Sequence, residues 1–310
     1  MRERSLTQLV LLSLRGMAMG AADVVPGVSG GTIAFITGIY QELIESLNSI
    51  NLGALKILLK EGVKPFWKHI NGTFFLFLFG GIILSIISLA KFVVHLLENY
   101  PVLLWSFFFG LIIASVWLIG KSIAKWNAGN IIFLIFGSTI AFYISTINSV
   151  ASVESYWFIV LSGAIAICAM ILPGISGSFI LVLLGSYKTI LSALKDSDFV
   201  LIGLFVIGCL IGLMSFARLL KILFEKYKEI TIALLMGFMI GSLYKVWPWK
   251  VRVGDVPLVV HSDGKEDWMM SNSLPGSFES DPQVCMALIC TVTGVLLIVL
   301  LDRFAPKESY

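Results

Sequence analysis

Six stretches of the 310-residue sequence, roughly 73–97, 101–120, 130–147, 199–224, 230–247 and 283–301, are apolar over the ~20 residues that a helix needs to cross a bilayer. A chain with that much apolar length can hide it only in lipid. Charged residues make up 13% of the sequence, about half the ~25% typical of a soluble domain and too few to coat a folded surface. Mean hydropathy is +0.95. These features together specify an all-α polytopic membrane protein. The net charge of +3 supplies no broad basic face, so nucleic acid is not an expected partner. Cys168, Cys209, Cys285 and Cys290 sit in or beside apolar runs without paired spacing, which predicts small core residues and neither disulfides nor a metal site.

Two further apolar regions, 6–47 and 156–194, are broken near the middle by Pro26-Gly27 and Pro173-Gly174. Each flank is short, so a re-entrant hairpin or two tilted spans both satisfy the pattern, and we take the hairpin for the fold class. Irregular backbone is prohibitive when exposed to lipid, so both breaks must be buried in protein or line a polar cavity. The N-terminal run resembles a secretory signal, with Arg2 and Arg4 before Leu9-Val10-Leu11-Leu12. Arg15 interrupts it and a related segment recurs at 162–187, so it is expected to stay in the mature fold.

Loop charges set the orientation. Arg2, Arg4, the 48–72 loop, Lys121, Lys125, Lys221, Lys226 and Lys228 are basic, whereas 148–155 carries no base and 248–282 holds more acids than bases. The N-terminus, 48–72, 121–129 and the C-terminus are therefore expected in the cytoplasm, and 148–155 and 248–282 outside. Within 48–72, Lys56, Lys60, Lys64 and Lys68 recur every four residues among Leu52, Leu55, Leu59, Val63, Phe66 and Trp67. That pattern suits an amphipathic helix on an anionic leaflet, kinked at Pro65, and equally a solvated basic loop.

The chain repeats itself. At an offset of 147, Gly16, Ala22, Pro26, Gly27, Ser29, Gly30, Ile33, Gly38, Tyr40 and Leu47 fall on identical residues, from Gly163 to Leu194. At an offset of 127, Gly81, Ser88, Ala90, Leu96, Glu98, Tyr100, Gly110, Ile113 and Ser115 meet identical residues from Gly208 to Ser242, and Lys91 meets Arg218. The offsets differ by 20 because only the first half carries the Lys-rich loop. This divides the chain into a first repeat (1–124), a linking helix (125–150), a second repeat (151–247), an extracytoplasmic loop (248–282) without an assigned role, and a final helix with a short tail (283–310). An odd number of crossings separates the repeats, so they enter from opposite faces. Inverted repeats with discontinuous helices are the architecture of many secondary transporters.

Each Pro-Gly-x-Ser-Gly break ends one half-helix and opens another. Pro stops the helix, the glycines free the amides, and Ser29 or Ser176 can cap the next half-helix. Free N–H groups, hydroxyls and a positive dipole end suit an anion such as phosphate. The candidate phosphate ligands are Ser29, Gly30, Gly31, Thr32, Ser176, Gly177 and Ser178, with the cations Arg15, Lys91 and Arg218. Lys91, His95 and Glu98 share one helix face, as do Arg218, Lys221 and Glu225. Asp23, Glu98 and Glu225 are the candidate coupling or gating carboxylates, carrying a proton, or unwound carbonyls a sodium ion. The plain alternatives are a packing kink for each break and snorkelling ends for the charges.

The paired motifs, followed by Gly-Ile-Tyr at 38–40 and Gly-Ser-Tyr at 185–187, resemble the bacterial polyprenyl-phosphate transporter family over nearly the whole chain. The resemblance implies a translocase that returns undecaprenyl phosphate from the outer to the inner leaflet of the cytoplasmic membrane for wall synthesis. It implies the motif positions Asp23, Pro26, Gly27, Ser29, Gly30, Gly31 and Thr32, then Pro173, Gly174, Ser176, Gly177 and Ser178. A small-anion channel or exchanger uses similar helix ends. An intramembrane serine protease would use Gly27-Val28-Ser29-Gly30 with His95, but the motif is duplicated and Ile222 stands where the second half would need a histidine. No nucleotide-binding motif is present, and oligomeric state is not legible.

The charge reading predicts sidedness. On a cysteine-free background, Lys60→Cys and Ala124→Cys should label only from the cytoplasm, and Ser152→Cys and Lys265→Cys only from outside; labelling of 60 and 265 from one side would break the inverted arrangement.

Overall fold

Helix starts follow capping chemistry. Ser5 opens α1 (Leu6–Asp23) through a capping box with Gln8, and Asn127 and Asp198 cap α8 (Ala128–Thr146) and α12 (Phe199–Lys226) in the same side-chain-to-amide manner. The computed structural model describes residues 4–25, 29–147, 155–254, 259–260, 266–268, 270–278 and 281–304; Pro26 and Gly27 lie outside them, as does nearly all of 148–155. After α1 come α2 (Gly30–Ile36) and α3 (Tyr40–Ser49), then α4 (Leu52–Glu61) and α5 (Val63–His69) in the Lys-rich loop. The long helices α6 (Gly72–Asn99) and α7 (Pro101–Ser122) precede α8. The second half runs α9 (Tyr156–Ile171), α10 (Gly177–Leu183), α11 (Tyr187–Lys195), α12 and α13 (Lys228–Ser242), and α14 (Val284–Phe304) closes the chain. By length and composition α6, α7, α8 and α12 can each cross a membrane; α10 and α11 form a further apolar pair bent by 108°.

Glycines show how the bundle is assembled. A Cβ at Gly16 would strike the Leu78 carbonyl and one at Gly20 would meet Ile82, so α1 and α6 run parallel in close contact. A Cβ at Gly208 would strike Val160 and one at Gly212 would meet Ala164, so α9 and α12 do the same. In the first half the chain then doubles back, for Arg4 at the start of α1 bonds Glu42 in α3, and Asn71 before α6 bonds Glu42 and Ser46 at 3.0 and 3.1 Å.

The two helices read from the sequence as extras prove to be partners. Gly110 of α7 meets Thr291 of α14, and Gly237 of α13 meets Leu134 of α8. Each half thus lends its last helix to the other. The close approaches are possible because small residues let backbones touch, the main source of helix affinity where no hydrophobic drive operates.

Three expectations need correction. The run 230–247 is not one helix: α13 ends at Ser242, whose hydroxyl turns back to the Met239 carbonyl, and turns continue to Val246. The Lys-rich segment breaks at Gly62 (φ +90°), not at Pro65. Pro65 sits in the first turn of α5, where its missing N–H has no partner to lose. Of the apolar residues set among the lysines, Leu52, Leu55, Leu59, Val63 and Trp67 are exposed. Lastly, the fold is not wholly α. The 248–282 segment forms two antiparallel ribbons, β1 (Lys250–Arg252) with β4 (Met270–Asn272) and β2 (Val259–Val260) with β3 (Glu266–Asp267). Trp247 Nε1 to the Ser273 carbonyl, Trp249 Nε1 to the Pro282 carbonyl and Asn272 Nδ2 to the Tyr244 carbonyl, each 2.8 Å, hold β1, β4 and the turns around them to the bundle.

Two neighbouring glycines of α6 separate packing from propensity. Gly81→Val should lower stability by about 1–3 kcal/mol through overpacking against Ser13, while Gly80→Ala, with open space around it, should be neutral or stabilising by up to ~1 kcal/mol. Thermal melts of both variants in detergent check this.

Candidate functional site

The first break is held closed by its own residues. Ser29 caps α2, its Oγ accepting from the Gly31 N–H at 3.1 Å, and its carbonyl accepts from Thr32 N–H at 2.9 Å. The Gly30 N–H donates to Asp23 Oδ1 at 2.6 Å. A carboxylate from the end of α1 therefore already sits where an anion would meet α2. Any side chain at Gly30 would collide with that carboxylate.

The second break lies against the first. Gly174 takes φ +87°, a conformation that L side chains rarely adopt, and its N–H donates to Thr32 Oγ1 at 2.8 Å. Ser29 Oγ donates towards the Met170 and Leu172 carbonyls at 3.3 and 3.4 Å. A Cβ at Gly31 would lie 2.6 Å from the Ile171 carbonyl. Residues more than 140 apart in sequence thus meet at one point, as the duplication led us to expect. Ser29 and Thr32 are each only 1% exposed, so they face protein and not a channel.

The two breaks differ in what they offer. Ser176 makes no side-chain cap to α10; its Oγ instead shares a 2.9 Å hydrogen bond with Ser178 Oγ, and Ser178 is exposed. Beside them a cation appears that sequence reasoning passed over: Lys245 Nζ lies 4.0 Å from the centre of the Phe179 ring. Its signal was present, as a lysine inside the apolar run 230–247 is costly and is generally placed for function.

The remaining candidates are dispersed. Arg15 is half-buried on α1. Lys91 and Arg218 are exposed on α6 and α12, and Glu98 is exposed in the last turn of α6. Glu225 pairs with Lys221 of the shared face at 3.8 Å, since i,i+4 spans one turn and i,i+7, the spacing to Arg218, spans two. His95 bonds Asn99 through Nδ1 at 3.0 Å, and Ser29 is directed at backbone carbonyls, so the protease pairing does not form. Among the described residues no cluster of three His, Cys, Asp or Glu side chains could hold a metal.

Paired breaks with hydroxyls, turned amides and a nearby lysine inside an apolar bundle accord with a known family. Residues 19–258, a stretch including both breaks and Lys245, match the model of the undecaprenyl phosphate translocase-like family. The chain belongs to this family. Among its relatives, a polyprenyl-phosphate transporter of Vibrio cholerae is 45% identical over 299 residues, 95% of this chain and 96% of that protein. One of Staphylococcus aureus is 32% identical over 256 residues, 76% and 85% of the two chains. No solved structure gives a significant match. The chain is thus a multi-pass membrane protein, and these two relatives are named as transporters.

The contact between breaks is testable by stability. Thr32→Val keeps shape but leaves the Gly174 N–H without its acceptor, and should cost about 1–3 kcal/mol. Thr32→Ser should restore most of that. Melting temperatures of the two variants and the parent are the measurement.

Proposed function

We propose that this protein moves undecaprenyl phosphate across the bacterial cytoplasmic membrane, from the outer to the inner leaflet, returning the carrier for cell-wall synthesis. The observation that carries the reading is the meeting of the two breaks, Thr32 on Gly174 and Ser29 on Leu172, in a chain whose relatives are named for polyprenyl-phosphate transport. A lipid phosphate crossing the apolar core needs fixed donors where its charge passes, and broken helices supply them without adding net charge.

On this reading the headgroup reaches Ser176, Gly177 and Ser178 before the first break, and among the described residues the two serine hydroxyls bond only each other. The Ser29–Thr32 side is self-capped by Asp23. Headgroup arrival there requires that carboxylate to leave, so Asp23 gates the first break and is the first candidate to carry a coupling proton; sodium on unwound carbonyls is the alternative. Arg15 lies about two turns before Asp23 on α1, on the headgroup's side of the gate. Lys91 and Arg218, exposed on equivalent helices, receive the headgroup at opposite leaflets, with Glu98 and Glu225 as their modulating carboxylates. The Lys-rich α4–α5 segment lies on anionic lipid at the cytoplasmic surface, where both termini also lie. Parallel packing of α1 on α6 and of α9 on α12 supports a chain that returns to its starting side within each broken segment, and with it halves of opposite sense. Such halves expose one site alternately to each side.

The decisive experiment is a leaflet-resolved flip assay in proteoliposomes with labelled polyprenyl phosphate, with and without an imposed ion gradient. Directional transfer supports the reading, and none under any gradient overturns it. Ser176→Ala should weaken lipid-phosphate binding by ~1.5–3 kcal/mol, the worth of a hydrogen bond to a charged group. Gly30→Val should be worse, since its bulk meets Asp23. Parent-like binding by both variants would remove the headgroup from the breaks.

A further inference from the structure

At the end of the bundle that carries the ribbons, two lysines lie close together. Lys245, in the turn after α13, reaches the first turn of α10 and lies over Phe179, next to Ser178. Lys250, in β1, lies 3.6 Å from the centre of the Trp105 ring and donates to the Lys245 carbonyl. Neither has a carboxylate within ion-pair distance among the described residues; the pairs found there are Arg4–Glu42 and Lys221–Glu225. Burial first, and the neighbouring Lys245 second, push the Lys250 ammonium down from its ordinary value to about 7. Aromatic faces and a carbonyl solvate these cations only partly. Two like charges drawn together out of water, with no acid between them, are a destabilising arrangement that an anion would reverse.

We propose that Lys245 and Lys250 form a phosphate-receiving site at the ribbon end of the bundle, which takes the monoester headgroup and passes it to Ser176 and Ser178. Two cations match the double negative charge that a phosphate monoester approaches at neutral pH, and a neutral polyprenol would gain nothing from them. Trp247 and Trp249, anchored to the ribbon segment, pack edge to face at 5.5 Å and fix the approach of β1, which holds Lys250 in place. The site has no counterpart in the first half, where Leu118 stands at the position equivalent to Lys245. Phosphate reception by lysines is therefore confined to one end of the molecule.

The site rests on the translocase reading for its lipid but not for its anion, so the test uses three probes on the full-length protein in nanodiscs: polyprenyl monophosphate, polyprenol and inorganic phosphate. The variants are Lys245→Met, which keeps the apolar stem, Lys245→Arg, and Lys245→Met with Lys250→Met, each checked by thermal melt. Lys245→Met should weaken monophosphate binding about ten-fold or more, Lys245→Arg should stay within a few-fold of the parent, and the double variant should bind the monophosphate no better than polyprenol. Folded Met variants that bind the monophosphate as the parent does would overturn the site while leaving the translocase reading intact. Lysine-dependent binding of inorganic phosphate without any binding of the lipid would sustain the site and remove the translocase reading. Binding of neither phosphate by the parent would overturn both.

Discussion

Breaking a helix within apolar surroundings strands backbone donors and acceptors that no water can reach. In this molecule the first break satisfies its own amides through Asp23 and Ser29, and its side chains repair the second. The Gly174 N–H, left over where Pro173 ends α9, finds Thr32 Oγ1, and the Met170 and Leu172 carbonyls at the same end find Ser29 Oγ. The second hairpin could not be buried this way alone, since Ser176 and Ser178 bond each other and not its stranded backbone. The two halves are therefore held together at their weakest backbone, which places the irregular, donor-rich segments of both at one depth.

The rest of the bundle positions that contact. Glycine seams bring α1 onto α6 and α9 onto α12, so each hairpin is backed by a long helix running in its own direction. The exchange of last helices, α8 onto α13 and α14 onto α7, ties the halves together a second time. Within the second half Gly174 packs against α13, for a Cβ there would meet the Phe238 carbonyl and Ser242 Oγ. The turn after α13 then sets Lys245 over Phe179. Substitutions at a seam and at a break should differ in kind: the first removes packing, the second strands a polar group.

Much of this was legible in the sequence. Apolar runs located α6, α7, α8, α12 and α14 to within a few residues, because lipid imposes length on a helix. Identical Pro, Gly and Ser residues at fixed offsets marked the hairpins and their encounter. The early end of α13 was not legible, since apolar residues resume after Ser242 at Leu243, Val246 and Trp247, and the turn depends on Ser242 bonding back to Met239 and on Asn272, thirty residues on, taking the Tyr244 carbonyl. The break at Gly62 was hidden by Pro65, the stronger breaker by composition but harmless in a first turn. Lys245 is the only charged residue in the run 230–247, with no charged neighbour there to mark it, and its meaning comes from a ring on another helix.

The duplication also explains why the differences between halves matter. A strictly two-fold frame would present the same chemistry at both ends and could not favour one direction of approach. Here the offset of 147 sets Asp23 against Met170, a carboxylate against a thioether, and the offset of 127 sets Leu118 against Lys245. One break therefore carries its own anion, bonded to the Gly30 N–H, and the other has a cation beside it and hydroxyls bonded only to each other. On the proposed function, an incoming anion would meet attraction at the second break and competition at the first. The hydrogen bonds from Ser29 to the second hairpin, at 3.3 and 3.4 Å, lie at the long end for a hydroxyl donor. They are thus the contacts most easily given up when a charged acceptor enters between the breaks. Framework symmetry and charge asymmetry have separate roles here: the first places the breaks together, and the second ranks them.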